Sequence, residues 1–118
     1  MGARYSDLLK GISGVQLPLA RTDFAANIYW VYGIMLDDSI DFGAQEAIKR
    51  LAAKGVGCRP FFCPMHQQPV LGRMGLFDGE SYPVAERMYQ HGFYIPSGMA
   101  LTDEQIGRVA HELRGLFE

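Results

Sequence analysis

The stretch from Asn27 to Leu36 constrains the fold most. It reads Asn27-Ile28-Tyr29-Trp30-Val31-Tyr32-Gly33-Ile34-Met35-Leu36. Aromatic and β-branched side chains of this density suit a pleated strand. On a strand, Ile28, Trp30, Tyr32, Ile34 and Leu36 face one way, and Tyr29, Val31 and Met35 face the other. Neither face is polar, so both need cover. One layer of helices covers one side. Covering the second in a chain of 118 residues calls for a further domain or a partner chain. A two-sided apolar strand of this kind motivates a homodimer, because large apolar patches are normally buried and symmetric pairs are the commonest way to bury them.

The remaining elements follow from local signals. Ala3 to Lys10 reads as a short helix with Tyr5, Leu8 and Leu9 on one side and Gly11 as its stop. Val15 to Pro18 is a short extended piece. Asp41 is placed to cap a helix running to Lys54, with Gly55 as its stop and Ala44, Ala47, Ile48, Leu51 and Ala52 as its apolar stripe. Gly57 to His66 reads as a second strand, and Gln67 to Ser81 as a loop. Pro83 opens a third helix ending near Gly92. Phe93 to Ile95 is a short strand closed by Pro96. Thr102 and Gln105 have capping-box spacing, and the last helix runs from Asp103 to about Phe117, with Ile106, Val109, Ala110 and Leu113 inward. The predicted class is α+β: a small, mostly antiparallel sheet with helices mainly on one face, forming a single domain over residues 1–118.

Composition narrows the function. Charged residues are 20% of the chain and the net charge is −2, so no basic field is present to draw in nucleic acid. No apolar run reaches bilayer length, and the first residues lack a signal-peptide layout, so the cytoplasm is the expected location. Cys58 and Cys63 do not have the spacing of a redox or zinc pair; on one strand they would point to opposite faces as free thiols. His66, His91 and His111 match no zinc spacing, so no metal is expected.

Four ordered blocks carry a family resemblance. They are Tyr29 to Gly33; Gly55 to Pro69, which includes Arg59-Pro60-Phe61-Phe62 and Pro64-Met65-His66-Gln67-Gln68-Pro69; Pro83 to Arg87; and Gly92 to Gln105. Together they resemble the carboxy-terminal small domain of a DegT/StrS-type sugar aminotransferase, most closely its GDP-perosamine synthase branch. That resemblance implies a fold-type I, pyridoxal-phosphate-dependent enzyme. It moves an amino group from glutamate to a nucleotide-linked keto-sugar, and works as a dimer with its site between large and small domains. In that family the Schiff-base lysine and most phosphate ligands lie in the large domain, which precedes the part seen here. The expectation is therefore a detached or truncated small domain, without catalytic or cofactor-binding residues of its own. A stand-alone module that self-associates or binds nucleotide sugars is the alternative.

The residues themselves agree. Lys10, Lys49 and Lys54 are the only lysines. Each falls on the polar side or near the end of a predicted helix, where an ammonium stays solvated and forms imines poorly. A G-x-G-x-x-G phosphate cradle is absent. His66 is the leading substrate-facing candidate: it sits where a predicted strand runs out into a loop, and the resemblance implies a place near cofactor and sugar in the complete enzyme; in the isolated chain the favoured reading is a histidine that only bonds a nearby backbone carbonyl. Arg59 offers a planar fork for phosphate or carboxylate, or an ordinary surface ion pair. Gln68 suits a sugar hydroxyl or a plain loop amide. Ser97, before Gly98, suits a turn or a close backbone approach to substrate. Glu86 reads as an i,i+4 partner of Gln90.

Overall fold

The computed structural model describes residues 1–117. Helix α1 spans Gly2–Leu9, α2 Ala44–Ala53, α3 Pro69–Arg73, α4 Pro83–His91 and α5 Asp103–Arg114. Strands β1 (Val15–Gln16), β2 (Tyr32–Leu36), β3 (Arg59–Pro60) and β4 (Gly92–Ile95) form one sheet in the order β1-β2-β4-β3. All pairings are antiparallel. Tyr32 lies opposite Ile95, Ile34 opposite Phe93, Gly33 opposite Tyr94, and Tyr94 in turn opposite Arg59.

The register sorts the two faces. Tyr32, Ile34 and Leu36 of β2 join Phe93 and Ile95 of β4 in the buried core. Over them lie Tyr5 and Leu9 of α1, Ala47 and Leu51 of α2, and Ile106, Val109, Ala110 and Leu113 of α5. The expected α+β class, with helices massed on one face, is what forms. The opposite face is floored by Gly33 and Gly92, diagonal neighbours in the β2–β4 register. Phe61 lies across both. A Cβ added at Gly33 would stand 2.8 Å from its ring, and one at Gly92 would stand 2.4 Å from both that ring and the Met88 carbonyl. The glycines let an aromatic ring touch the sheet backbone where a side chain would block it.

Helix ends follow the local chemistry. Thr102 and Gln105 close the capping box of α5 reciprocally, at 3.2 and 2.9 Å. Helix α2 ends in a Schellman turn: Val56 N–H reaches the Leu51 carbonyl and Gly55 N–H the Ala52 carbonyl, both at 2.9 Å, with Gly55 at φ +76°. Two arginines of α5 cap other helices. Arg114 donates from Nε to the Leu8 carbonyl and from a terminal nitrogen to the Lys10 carbonyl, both at 2.7 Å. Arg108 donates to the Lys54 carbonyl at 3.0 Å. Each places a cation on carbonyls that a helix end leaves unpaired.

Several expectations need correction. The strand predicted over Asn27 to Leu36 begins only at Tyr32. Arg21 bridges Ala26, the Asn27 amide donates to the Leu19 carbonyl, and its Oδ1 accepts from Tyr29 N–H at 2.7 Å. This side-chain turn puts Tyr29 at φ +52° and breaks the strand. Ile28 and Trp30 are consequently 89% and 73% exposed. The second face of the sheet is met by Phe61 rather than by a longer apolar strand.

The strand predicted over Gly57 to His66 shrinks to Arg59–Pro60, because Pro60 and Pro64 have no N–H to give a ladder. Cys58 and Cys63 fall outside the ladder, so the opposite-face argument does not apply; both are free thiols. Asp41 is not a cap: Gly43 holds that position, where a Cβ would come within 3.1 Å of the Gln90 carbonyl. Ala52 is exposed. The loop predicted over Gln67 to Ser81 contains α3, opened by Pro69. Helix α5 ends at Arg114.

Candidate substrate-facing site

The chain leaves β3 at Phe61 and reaches a 3₁₀ turn at Met65–Gln67, so His66 stands on a turn rather than at a strand end. Gln67 N–H bonds the Pro64 carbonyl at 3.0 Å and Gln68 N–H the Met65 carbonyl at 3.1 Å. The Gln68 side-chain amide reaches back to the Cys63 carbonyl at 3.1 Å. Gln68 therefore ties its own loop.

His66 is held from outside the turn. Its Nε2 lies 2.8 Å from Glu86 Oε1 of α4, and its ring packs 4.9 Å from the Tyr82 ring at a tilt of 49°. Its side chain is 8% exposed. Glu86 Oε1 also accepts Tyr82 N–H at 3.0 Å. The expected Glu86–Gln90 pair is thus replaced by a contact between elements. The Tyr82 backbone donor first, and then the His66 ring, hold the Glu86 carboxyl below its ordinary pKa. No local pattern announces this contact, because α3 and a loop separate the two residues along the chain.

Arg59 and Ser97 come together elsewhere. They line a shallow cleft of about 210 Å³ beside Tyr94 and Pro96. Arg59 is exposed and forms no ion pair among the described residues, which leaves its fork open to an anion. The Ser97 hydroxyl is committed on both sides: it accepts Tyr32 N–H at 2.7 Å and donates to the Ile95 carbonyl at 2.8 Å. Ser97 therefore clasps the ends of β2 and β4. The predicted residues thus form two pairs, His66 with Gln68 and Arg59 with Ser97, joined through the segment that carries Cys63. Arg59 and Cys63 also line a more open groove of about 340 Å³.

Beside the cleft, Tyr29, Trp30, Gly98 and Met99 line a broad groove of about 840 Å³. The Trp30 ring stacks on that of Phe62 at 6.5 Å, and Phe62 is 72% exposed.

Residues 1–114 match the DegT/DnrJ/EryC1/StrS aminotransferase family. The chain belongs to that family. It is 28% identical over 117 residues to EpsN of Bacillus subtilis (strain 168), named as a pyridoxal phosphate-dependent aminotransferase, covering 97% of this chain and 29% of EpsN. It is 30% identical over 83 residues to the GDP-perosamine synthase of Caulobacter vibrioides, covering 70% of this chain and 22% of that protein. Among solved structures it resembles the aminotransferase TlmJ of Streptoalloteichus hindustanus, at 25% identity and a TM-score of 0.81, covering 97% of this chain and 29% of TlmJ. Helicobacter pylori PseC shares the fold at a TM-score of 0.84 and 16% identity, over 98% of this chain and 30% of PseC. The chain thus spans less than a third of the length of these DegT/DnrJ/EryC1/StrS relatives.

Relatives in this family include pyridoxal-phosphate aminotransferases. That cofactor needs an amine in a setting that lowers its pKa, by burial or a neighbouring cation. Lys10, Lys49 and Lys54 are all exposed. Lys54 Nζ is held in an ion pair 3.3 Å from Glu112 Oε2. The amines of this chain do not fit the covalent end of the cofactor. No described helix is long and apolar enough to cross a membrane.

Proposed function

We propose that this chain forms the small-domain part of a pyridoxal-phosphate-dependent, cytoplasmic sugar aminotransferase, and that it supplies substrate-facing residues while the amine chemistry is done elsewhere. The donor would be glutamate and the acceptor a nucleotide-linked keto-sugar. The family match along residues 1–114 carries this reading. The exposed setting of every lysine supports its second half.

The residues divide the work. Arg59, free of any carboxylate partner among the described residues, would take the sugar nucleotide's diphosphate through its fork. Ser97 would fix the cleft wall by clasping β2 to β4, and Gln68 would fix the turn that presents His66. His66 would meet a sugar hydroxyl. A chimera tests this: a GDP-perosamine synthase whose own corresponding segment is replaced by this chain. The chimera should bind its cofactor and transfer an amino group from glutamate to its keto-sugar. A folded, cofactor-loaded chimera with no transfer contradicts the assignment, and undiminished transfer in its Arg59→Ala form contradicts the role given to Arg59.

Exposed Ile28, Trp30, Phe62 and Met99 support association as part of the same reading. The chain would pair with a second copy through this apolar surface. Sedimentation as a monomer at every accessible concentration would count against that pairing.

A further inference from the structure

We propose that Glu86 is a positioning residue that keeps the His66 ring proton on Nε2, leaving the Nδ1 lone pair as the acceptor that the site offers to a hydroxyl or amide donor. The proposal rests on His66 facing substrate, and it names the chemistry of that contact.

The geometry supports it in three ways. An ionised carboxylate accepts and does not donate. Glu86 Oε1 already takes Tyr82 N–H at 3.0 Å, and it lies 2.8 Å from His66 Nε2, so that nitrogen must carry the proton. The opposite ring nitrogen is free. Among the described residues, His91 Nδ1 is the one buried side-chain polar atom without a partner. His66 Nδ1 is therefore not sealed off, and the small exposed fraction of the ring gives it access to a ligand. Tyr82 limits rotation of the ring by packing against it at 4.9 Å, tilted by 49°. In its neutral form a histidine held in this way has one defined tautomer, set by the partner of its other nitrogen.

Such a site selects ligands that bring a donor. A sugar hydroxyl satisfies Nδ1, whereas a ligand with only an acceptor at that point meets a lone pair and is repelled. Glu86 touches no substrate in this arrangement. It acts through His66, and its separate bond to Tyr82 N–H ties the start of α4 to the same carboxylate.

Nuclear magnetic resonance on the 118-residue chain, labelled with ¹⁵N in its histidine rings, tests the assignment directly. Two-bond correlations should show His66 as the Nε2–H form. Its Nε2 proton should give a resolved signal at room temperature, where the exposed ring of His111 gives none. In Glu86→Ala the slow signal should vanish and the ratio of Nδ1–H to Nε2–H form should rise about fivefold, the size expected for losing one hydrogen bond. Glu86→Gln, whose amide oxygen accepts the same N–H, should restore the wild-type pattern. A purely structural glutamate would leave the His66 tautomer unmoved in folded Glu86→Ala. That result, or an Nδ1–H form in the wild type, overturns the proposal. Should Glu86→Ala fail to fold, the wild-type Nε2 proton decides alone, and its absence overturns the proposal. A failed chimera would refute the substrate reading without touching this tautomer, so the two failures are distinguishable.

Discussion

Arg114 shows how much of this fold rests on single side chains far apart in sequence. Its guanidinium reaches the carbonyls of Leu8 and Lys10, and so binds the last helix to the end of the first. Charge-assisted bonds of this kind are among the stronger ones, and a helix carboxy terminus favours the cation. Arg114→Ala should lower stability by about 2 kcal/mol. Denaturant titration checks this, and an unchanged midpoint would mean that water replaces both bonds at no cost. Tyr5 makes a comparable long-range tie. Its hydroxyl donates to the Pro96 carbonyl at 3.0 Å, and burial drives its pKa up to about 12. Cys58 is similarly pushed up to about 11 by burial, which makes it a packing residue rather than a nucleophile.

Between elements, the contact from α4 to the His66 turn brings a pH dependence with it. Glu86 has its folded pKa held below the ordinary 4.5. A group shifted in that direction stabilises the fold above its unfolded pKa and loses that contribution as pH falls through the folded value. The melting-temperature advantage of the wild type over Glu86→Gln should therefore be flat near neutrality and shrink once pH drops below about 4.5. A constant difference across that window would show that the carboxylate gains nothing from its two donors. Element identity was largely legible beforehand, since capping boxes, Gly stops and apolar stripes are local signals. The α5 cap at Thr102 and Gln105, the Gly55 turn and the core face of α5 form as read, and that of α2 does so apart from the exposed Ala52. What failed was non-local or subtle. Asn27 turned the aromatic run before it could pair, and Pro60 with Pro64 emptied a predicted strand of donors. The motif wording singles out His66, Arg59, Gln68 and Ser97 as candidates but carries none of their geometry. Helical spacing pairs Glu86 with Gln90, because it cannot show a contact with another element such as the one Glu86 makes with His66.

For the whole molecule, one core holds three helices to one sheet face, while Gly33 and Gly92 admit Phe61 to the other. Arg59 and the stacked aromatic pair Trp30 and Phe62 are exposed, while His66 keeps only a small exposed fraction. The fold and family match account for the architecture. The central claim is that these residues shape a substrate side and hold no amine fit for the cofactor. Incubation with pyridoxal phosphate, borohydride reduction and peptide mass spectrometry test it most directly. The account predicts that Lys10, Lys49 and Lys54 are labelled only to the sparse, even extent seen in the unfolded chain. Stoichiometric labelling of any one of them in the folded chain, lost on denaturation, would contradict it.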